Sequence, residues 1–135
     1  MINVGLIGCG YISKKHIDTI TQFNSYQLVA VSDIQTDRME DTVQHYNENK
    51  KEPTNISQYK NHKDLLLDPQ VDVVIIAVVS GLHAEIAKQA LLLDKHVIIE
   101  KPLALSLKEA NELITLATAN QKLILVCHQL RYHPL

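Results

Sequence analysis

Three groups of residues have the types and spacing to do chemistry. The first is Gly8-Cys9-Gly10-Tyr11-Ile12-Ser13, which reads G-x-G-x-x-small. Glycine at position 8 permits a tight turn, and glycine at position 10 lets backbone approach a pyrophosphate. The third position needs a small side chain so that a helix packs closely on a strand. Ser13 is small, although it departs from the usual Gly or Ala. A helix opening near Tyr11 aims unpaired N–H groups and its positive dipole end at bound phosphates. The second group is Asp33, which follows Gly10 by 23 residues. That spacing suits a carboxylate bonded to the hydroxyls of an adenosine ribose. The third group lies further on: Ser80-Gly81-Leu82-His83, and then Glu100-Lys101-Pro102. The proline fixes the turn and holds Lys101 at an edge instead of letting it wave in solvent.

These groups need elements to hold them, and the chain alternates strand and helix throughout. Asn3 to Ile7 is a short apolar strand closed by Gly8. Tyr11 to Phe23 follows, with Ile12, His16, Ile20 and Phe23 at helical spacing. Gln27 to Ser32 is a second strand ending at Asp33, and Thr36 caps a helix with Met39, Val43 and Tyr46 inward. The polar stretch Asn47 to Thr54 reads as a surface loop, with a short third strand near Thr54 to Tyr59. A one- to two-turn helix follows Asn61 and stops at Asp68-Pro69. The β-branched run Asp72 to Val79 is the pattern of a central parallel strand buried on both faces. His83 to Leu93 is a helix with Ile86, Ala87, Ala90 and Leu91 inward, and His96 to Ile99 is another strand. Ser106 and Glu109 form a capping box. The helix it opens carries Ala110, Leu113, Ile114 and Ala117 on one face. Leu123 to Cys127 is the last strand.

Strands alternating with helices wind into an α/β, doubly wound parallel sheet of the Rossmann type, a single dinucleotide-binding domain over residues 1–135. In such sheets ligands sit outside the carboxyl ends of the strands. Asp33, Ser80, His83, Glu100 and Lys101 therefore converge on the edge that carries Gly8 and Gly10. Tyr11, Ile12 and Ile34 complete the expected cofactor contacts. The carboxylate of Asp33 repels a 2′-phosphate, so NAD is expected over NADP. Arg38 is the dissenting residue, placed on the exposed face of its helix. Each assignment has a plainer alternative: Asp33 as a helix-capping or turn aspartate, Lys101 as a surface lysine, His83 as a helix N-terminal residue without a ligand.

Composition narrows the classes. The net charge is −2 and the basic residues are scattered, which argues against a nucleic-acid surface. No apolar run approaches the roughly 20 residues that span a bilayer, and the N-terminus reads as strand and turn rather than as a leader. Cys9 and Cys127 are far apart and no Cys or His spacing suggests a metal, so two reduced thiols and a cytoplasmic location are expected.

With its opening glycine turn, its His after the fourth strand and its K-H-V-x-x-E-K-P run over Lys95 to Pro102, the chain resembles the Gfo/Idh/MocA oxidoreductases over its whole length. The resemblance implies a C-terminal α/β domain, absent from this chain, that supplies substrate and oligomer contacts, and a homo-oligomeric full-length protein. It implies that Lys101 sits by the nicotinamide ribose and the reacting carbon, with Glu100 and His83 lining that side. Many members have Pro-Asn where this chain has Ser80-Gly81. The tail His128-Gln129-Leu130-Arg131-Tyr132-His133-Pro134 looks like the Q-L-R-x-H-P segment of members that oxidise the 3-hydroxyl of UDP-N-acetylglucosaminuronic acid for surface polysaccharides. It makes Gln129 and Arg131 candidate cofactor or substrate contacts. The implied reaction is hydride transfer between a sugar or sugar-nucleotide carbinol and a nicotinamide, with Lys101 as a proton acceptor or a polarising cation. Alone, the chain is expected to bind dinucleotide without turnover. An NAD-dependent glycosidase on the same scaffold, a non-catalytic dinucleotide sensor and a methyltransferase are the competing readings. The last two leave Glu100-Lys101-Pro102 unexplained.

Overall fold

Val73–Ile76 is buried at all four positions, as a strand must be when helices cover both faces of its sheet. In the computed structural model, which describes residues 1–48 and 50–134, this segment is the fourth strand of the sheet. The elements run β1 (Ile2–Ile7), α1 (Ser13–Thr21), β2 (Tyr26–Ser32), α2 (Thr36–Glu48), β3 (Ser57–Tyr59), α3 (His62–Leu67), β4 (Val73–Ile76), α4 (His83–Leu92), β5 (His96–Glu100), α5 (Leu107–Ala119) and β6 (Ile124–Cys127). Short 3-10 turns at Ser80–Leu82 and Gln129–Tyr132 follow β4 and β6. Among the described residues the six strands order as β3-β2-β1-β4-β5-β6, all pairs parallel. Strand order reverses between β1 and β4, where Ile7 pairs with Ile76. This is the topology at which doubly wound sheets open a crevice.

Two apolar clusters cover the sheet. Ile17, Ile20, Met39 and Tyr46 of α1 and α2 pack on one face, against Leu6, Leu28 and Ile75. Leu65, Ile86, Leu91 and Leu113 of α3, α4 and α5 pack on the other, against Ile7, Val74 and Ile99. Two helix starts are capped: Asn61 accepts from the Lys63 N–H at 3.0 Å, and Ser106 accepts from the Glu109 N–H at 3.2 Å. Glu109 reaches back to the Leu105 N–H, one residue before the partner that a standard capping box uses. Among the described residues no helix is long and apolar enough to cross a membrane.

Several helix faces differ from the sequence expectation. α1 begins at Ser13, not Tyr11, and buries Ser13, Ile17 and Ile20. The glycine turn delays the first helical residue, so the buried stripe runs one position later than Ile12 and His16 suggest. Phe23 lies beyond the helix, half exposed, with its ring edge-on to Tyr26. α2 continues through Asn47 and Glu48, where a loop was expected; Asn49 of that loop, like Leu135 of the tail, lies outside the described residues. On α5, Ile114 is 54% exposed and Leu116 packs inward instead. β3 uses only the last part of its expected range.

At the amino edge of the sheet, Lys95 is buried and donates from Nζ to the carbonyls of Asp68 at 2.8 Å and Val71 at 2.7 Å. Burial pushes its pKa down, while Asp68, Asp72 and Asp94 oppose the shift. The ammonium ties the turn before β5 to the turn before β4. Replacing it leaves two carbonyls without their donor, and an unmade buried bond costs about 1–3 kcal/mol. Lys95→Met is therefore expected to lower unfolding free energy by about 2 kcal/mol in a urea titration. An unchanged midpoint would show that the two bonds add nothing.

Candidate functional site

β1 stops at Ile7 because the chain must turn where β1 and β4 lie side by side. Gly8 has φ +96°, and a Cβ there would stand 2.7 Å from the carbonyl carbon of Ala77. Its N–H donates to Ser32 at 2.8 Å, and the Ala77 N–H donates to Ile7 at 2.8 Å, so three strand ends are tied around one glycine. Gly10 is different. A Cβ at Gly10 would meet nothing within 4 Å, so the fold has no need of a glycine there. The open space faces outward, where a ligand's phosphates approach a helix N-terminus. Ser13 is buried, and its hydroxyl donates to the Gly10 carbonyl, which satisfies the one polar group that Gly or Ala would not bring.

Asp33 closes the turn from the end of β2. Oδ2 accepts from the Cys9 N–H at 2.9 Å and Oδ1 from the Gln35 N–H at 2.8 Å. Each oxygen keeps a second lone pair for a ligand hydroxyl. The carboxylate is thus both a turn aspartate, one of the plainer alternatives, and a fixed acceptor at the cleft.

A cleft of about 430 Å³ opens over this turn. Gly8, Gly10, Tyr11, Ile12, Asp33 and Ile34 line it, all named by the sequence. Arg38 lines it as well, although it lies on the exposed side of α2. Lys60, His62, Val78, Val79 and Leu82 join them, and sequence reasoning missed these five. The available signal was position: Lys60 and His62 follow β3, whose carboxyl end lies beside that of β2 on the edge of the sheet where ligands sit. Tyr11 and Ile34 are more than four-fifths exposed and stand at the rim.

The other expected residues fall elsewhere. Lys101, Gln129 and Arg131 meet around a separate depression of about 160 Å³ beside the carboxyl ends of β5 and β6. Ser80 is exposed but lines neither hollow. His83 is 1% exposed, with Nδ1 2.7 Å from the Pro102 carbonyl and Nε2 2.8 Å from the Val78 carbonyl. A neutral imidazole has one N–H and can serve one of these acceptors at a time. The ring therefore lies behind the cleft wall and holds the Lys101-Pro102 turn, whose peptide bond is cis. Glu100 faces α1, where its Oε1 lies 2.7 Å from His16 Nε2. Neighbouring residues on both sides of Lys101 are thus held by histidines from opposite faces of the sheet. Burial pushes the Cys9 thiol up to about 11; a Thr42 hydrogen bond and Arg38 act against that rise and Asp33 adds to it.

A crevice at the switch point of a parallel sheet, a phosphate-type turn and an acid ending β2 define a dinucleotide-binding domain. Residues 2–128 match the oxidoreductase family with NAD-binding Rossmann fold (Gfo/Idh/MocA), and the chain belongs to that family. It is 33% identical over 134 residues to an inositol 2-dehydrogenase/D-chiro-inositol 3-dehydrogenase of Lacticaseibacillus casei, covering 98% of this chain and 37% of that protein. It is 30% identical over 135 residues to the oxidoreductase YrbE of Bacillus subtilis, again covering 98% of this chain and 37% of that one. Among solved structures it is similar to biliverdin reductase from Synechocystis with biliverdin and NADP+ (TM-score 0.83, 28% identity, 94% of this chain and 38% of that one). It is also similar to the 3-ketoreductase KijD10 from Actinomadura kijaniata with TDP-benzene and NADP (TM-score 0.86, 25% identity, 98% and 40%). The chain spans about 37% of the length of the curated relatives it matches.

The two glycines separate fold from ligand. Gly8→Ala is expected to cost about 1–3 kcal/mol of stability, since it forces a Cβ into a positive φ and against backbone. Gly10→Ala should change stability by less than about 1 kcal/mol, as alanine fits without a clash. Urea unfolding of both variants checks the contrast, and equal losses would refute it. For Cys9, a rise of two units leaves about a hundredfold less thiolate than in the unfolded chain at the same pH. Iodoacetamide at pH 8 should label Cys9 at least about a hundredfold faster in urea than in buffer, read by peptide mass.

Proposed function

We propose that this chain is the NAD-binding domain of an oxidoreductase that moves a hydride between a nicotinamide cofactor and a hydroxyl-bearing carbon of a sugar, cyclitol or sugar nucleotide. The observation that carries the reading is Gly10: open space over a helix start, at the sheet's switch point, with Asp33 fixed beside it. A dinucleotide fits these residues. The α1 start and the 9–13 turn present backbone to a pyrophosphate. Asp33 offers its remaining lone pairs to the adenosine ribose, while Tyr11 and Ile34 flank the cleft mouth.

When bound, the nicotinamide supplies the hydride acceptor. The chain's own residues orient and polarise. Lys101 lies with Gln129 and Arg131 in the smaller hollow, where its ammonium donates to the oxygen of the reacting carbinol or carbonyl. The neighbouring Glu100 is turned away toward His16, which leaves the lysine side of the turn cationic. Of the proteins similar to this chain, one is named as an inositol dehydrogenase and one as a 3-ketoreductase, solved with TDP-benzene and NADP. The Gln129–His133 tail favours the sugar-nucleotide branch, with surface polysaccharide synthesis as its setting, in a cytoplasmic homo-oligomer.

NAD is the preferred cofactor. The reading rests on Asp33, whose carboxylate ends β2 and disfavours a 2′-phosphate; Arg38 and Lys60 line the same cleft and favour one, and the NAD-against-NADP comparison below decides between them.

Thermal unfolding of the chain with matched NAD and NADP tests the reading. Ligand at 100 times its Kd adds about 2.7 kcal/mol, a rise of several degrees in a domain this small. NAD should raise the midpoint more than NADP does, and Gly10→Ala should abolish most of the rise. Equal flat responses would defeat the dinucleotide assignment. In the full-length enzyme, screened with inositols and nucleoside-diphosphate sugars, Lys101→Ala should lower kcat by about 10²–10⁴. An unchanged kcat would remove Lys101 from the chemistry.

A further inference from the structure

β5 and β6 pair in parallel with Glu100 opposite Cys127, so the last side chains of both strands leave the sheet side by side. Ile98 packs on the α1 side, and Glu100, two residues later, points the same way. α1 brings His16 down to meet it, 2.7 Å from Nε2 to Oε1. One ligand atom from each of His16, Glu100 and Cys127 lies within 4.8 Å of the other two, and all three residues are partly buried. The His16–Glu100 contact accounts for two of them. It does not account for a sulfur at the same point.

We propose that His16, Glu100 and Cys127 form a three-ligand site for a thiophilic divalent cation of the Zn2+ class, beside the Lys101 turn. One nitrogen, one carboxylate oxygen and one sulfur suit Zn2+ or Co2+, whereas Mg2+ and Ca2+ take oxygen alone. Zinc lies about 2.0–2.3 Å from such ligands, so in a tetrahedron the ligand atoms stand about 3.3–3.7 Å apart. The His16–Glu100 contact must open by about 0.6 Å and the widest gap close by about 1 Å, which side-chain rotation supplies. The three ligands sit on a helix and two strand ends of one rigid sheet. Three protein ligands leave a fourth position for water or another donor.

Protonation follows from the ligand set. Burial, and then the charge of Glu100, pushes the Cys127 thiol up. A bound dication reverses that local field: the S–H bond breaks and its proton goes to solvent, the His16 ring exchanges its Nε2–H for an Nδ1–H through solvent, and metal bonds from the sulfur and from Nε2 form in their place. No electrons are transferred.

The test uses CoCl2 and the reduced chain under nitrogen, and it needs neither dinucleotide nor substrate. One equivalent should bind, with a thiolate-to-cobalt charge-transfer band in the near ultraviolet and the visible bands of a four-coordinate ion; ZnCl2 should bleach both. Cys127→Ser should abolish the charge-transfer band. His16→Gln should weaken cobalt binding by more than the ~10–100-fold that loss of an outer-shell partner costs. Circular dichroism establishes that each variant folds, and if Cys127→Ser does not, the His16→Gln titration decides. A wild-type chain without the band, a band that survives Cys127→Ser, or unchanged affinity in His16→Gln overturns the proposal.

Discussion

β1 and β4 run side by side, and where β1 ends the chain must leave the sheet without touching Ala77. Only a residue with no side chain and a positive φ does this, and Gly8 has both properties. The rest of the crevice depends on that close approach. Turning at Gly8 directs the Cys9 N–H to Asp33, sets Gly10 over empty space and starts α1 at Ser13. A bulkier residue would push β1 and β4 apart at the point where the strand order reverses. The cleft would then lose its floor, whatever residues remained at its rim.

The carboxyl edge is divided. The glycine turn, Asp33 and the cationic groups after β2 and β3 make one hollow; Lys101, Gln129 and Arg131 make a second. The first reaches from the end of β4 toward β2 and β3, and the second lies beyond it at the ends of β5 and β6. Another groove, of about 560 Å³ between α4 and α5, is larger but carries none of these groups.

The alternation of strand and helix was legible because each element carries its own local mark. Val73–Ile76 is continuously β-branched, Asn61 and Ser106 cap helices, and Ile86, Ala87, Ala90 and Leu91 share one face. The same is true of Gly8 and Gly10, whose separate roles follow from backbone sterics alone. What was hidden is tertiary. The His16–Glu100 contact joins residues 84 positions apart, and no periodicity announces it. Lys60 and His62 reach the cleft only because β3 pairs beside β2, and a three-residue strand gives little signal. Cys127 reads as an isolated thiol until the register of β5 and β6 places it opposite Glu100. His83, expected at the nicotinamide side, and Lys95, which its motif does not mark as structural, are both buried against backbone carbonyls.

The buried ring of His83 has a mechanical consequence. It touches Val78, which forms part of the cleft wall, and Pro102, which follows Lys101, through opposite nitrogens of one rigid imidazole. A neutral ring has one N–H, so it donates to one loop at the expense of the other, and a shift of either loop changes which carbonyl is served. Whatever presses on the wall at Val78 is felt at the lysine turn, and thermodynamic linkage makes the influence equal in the reverse direction. The cleft wall at Val78 and the turn that carries Lys101 thus share one buried ring as their common neighbour.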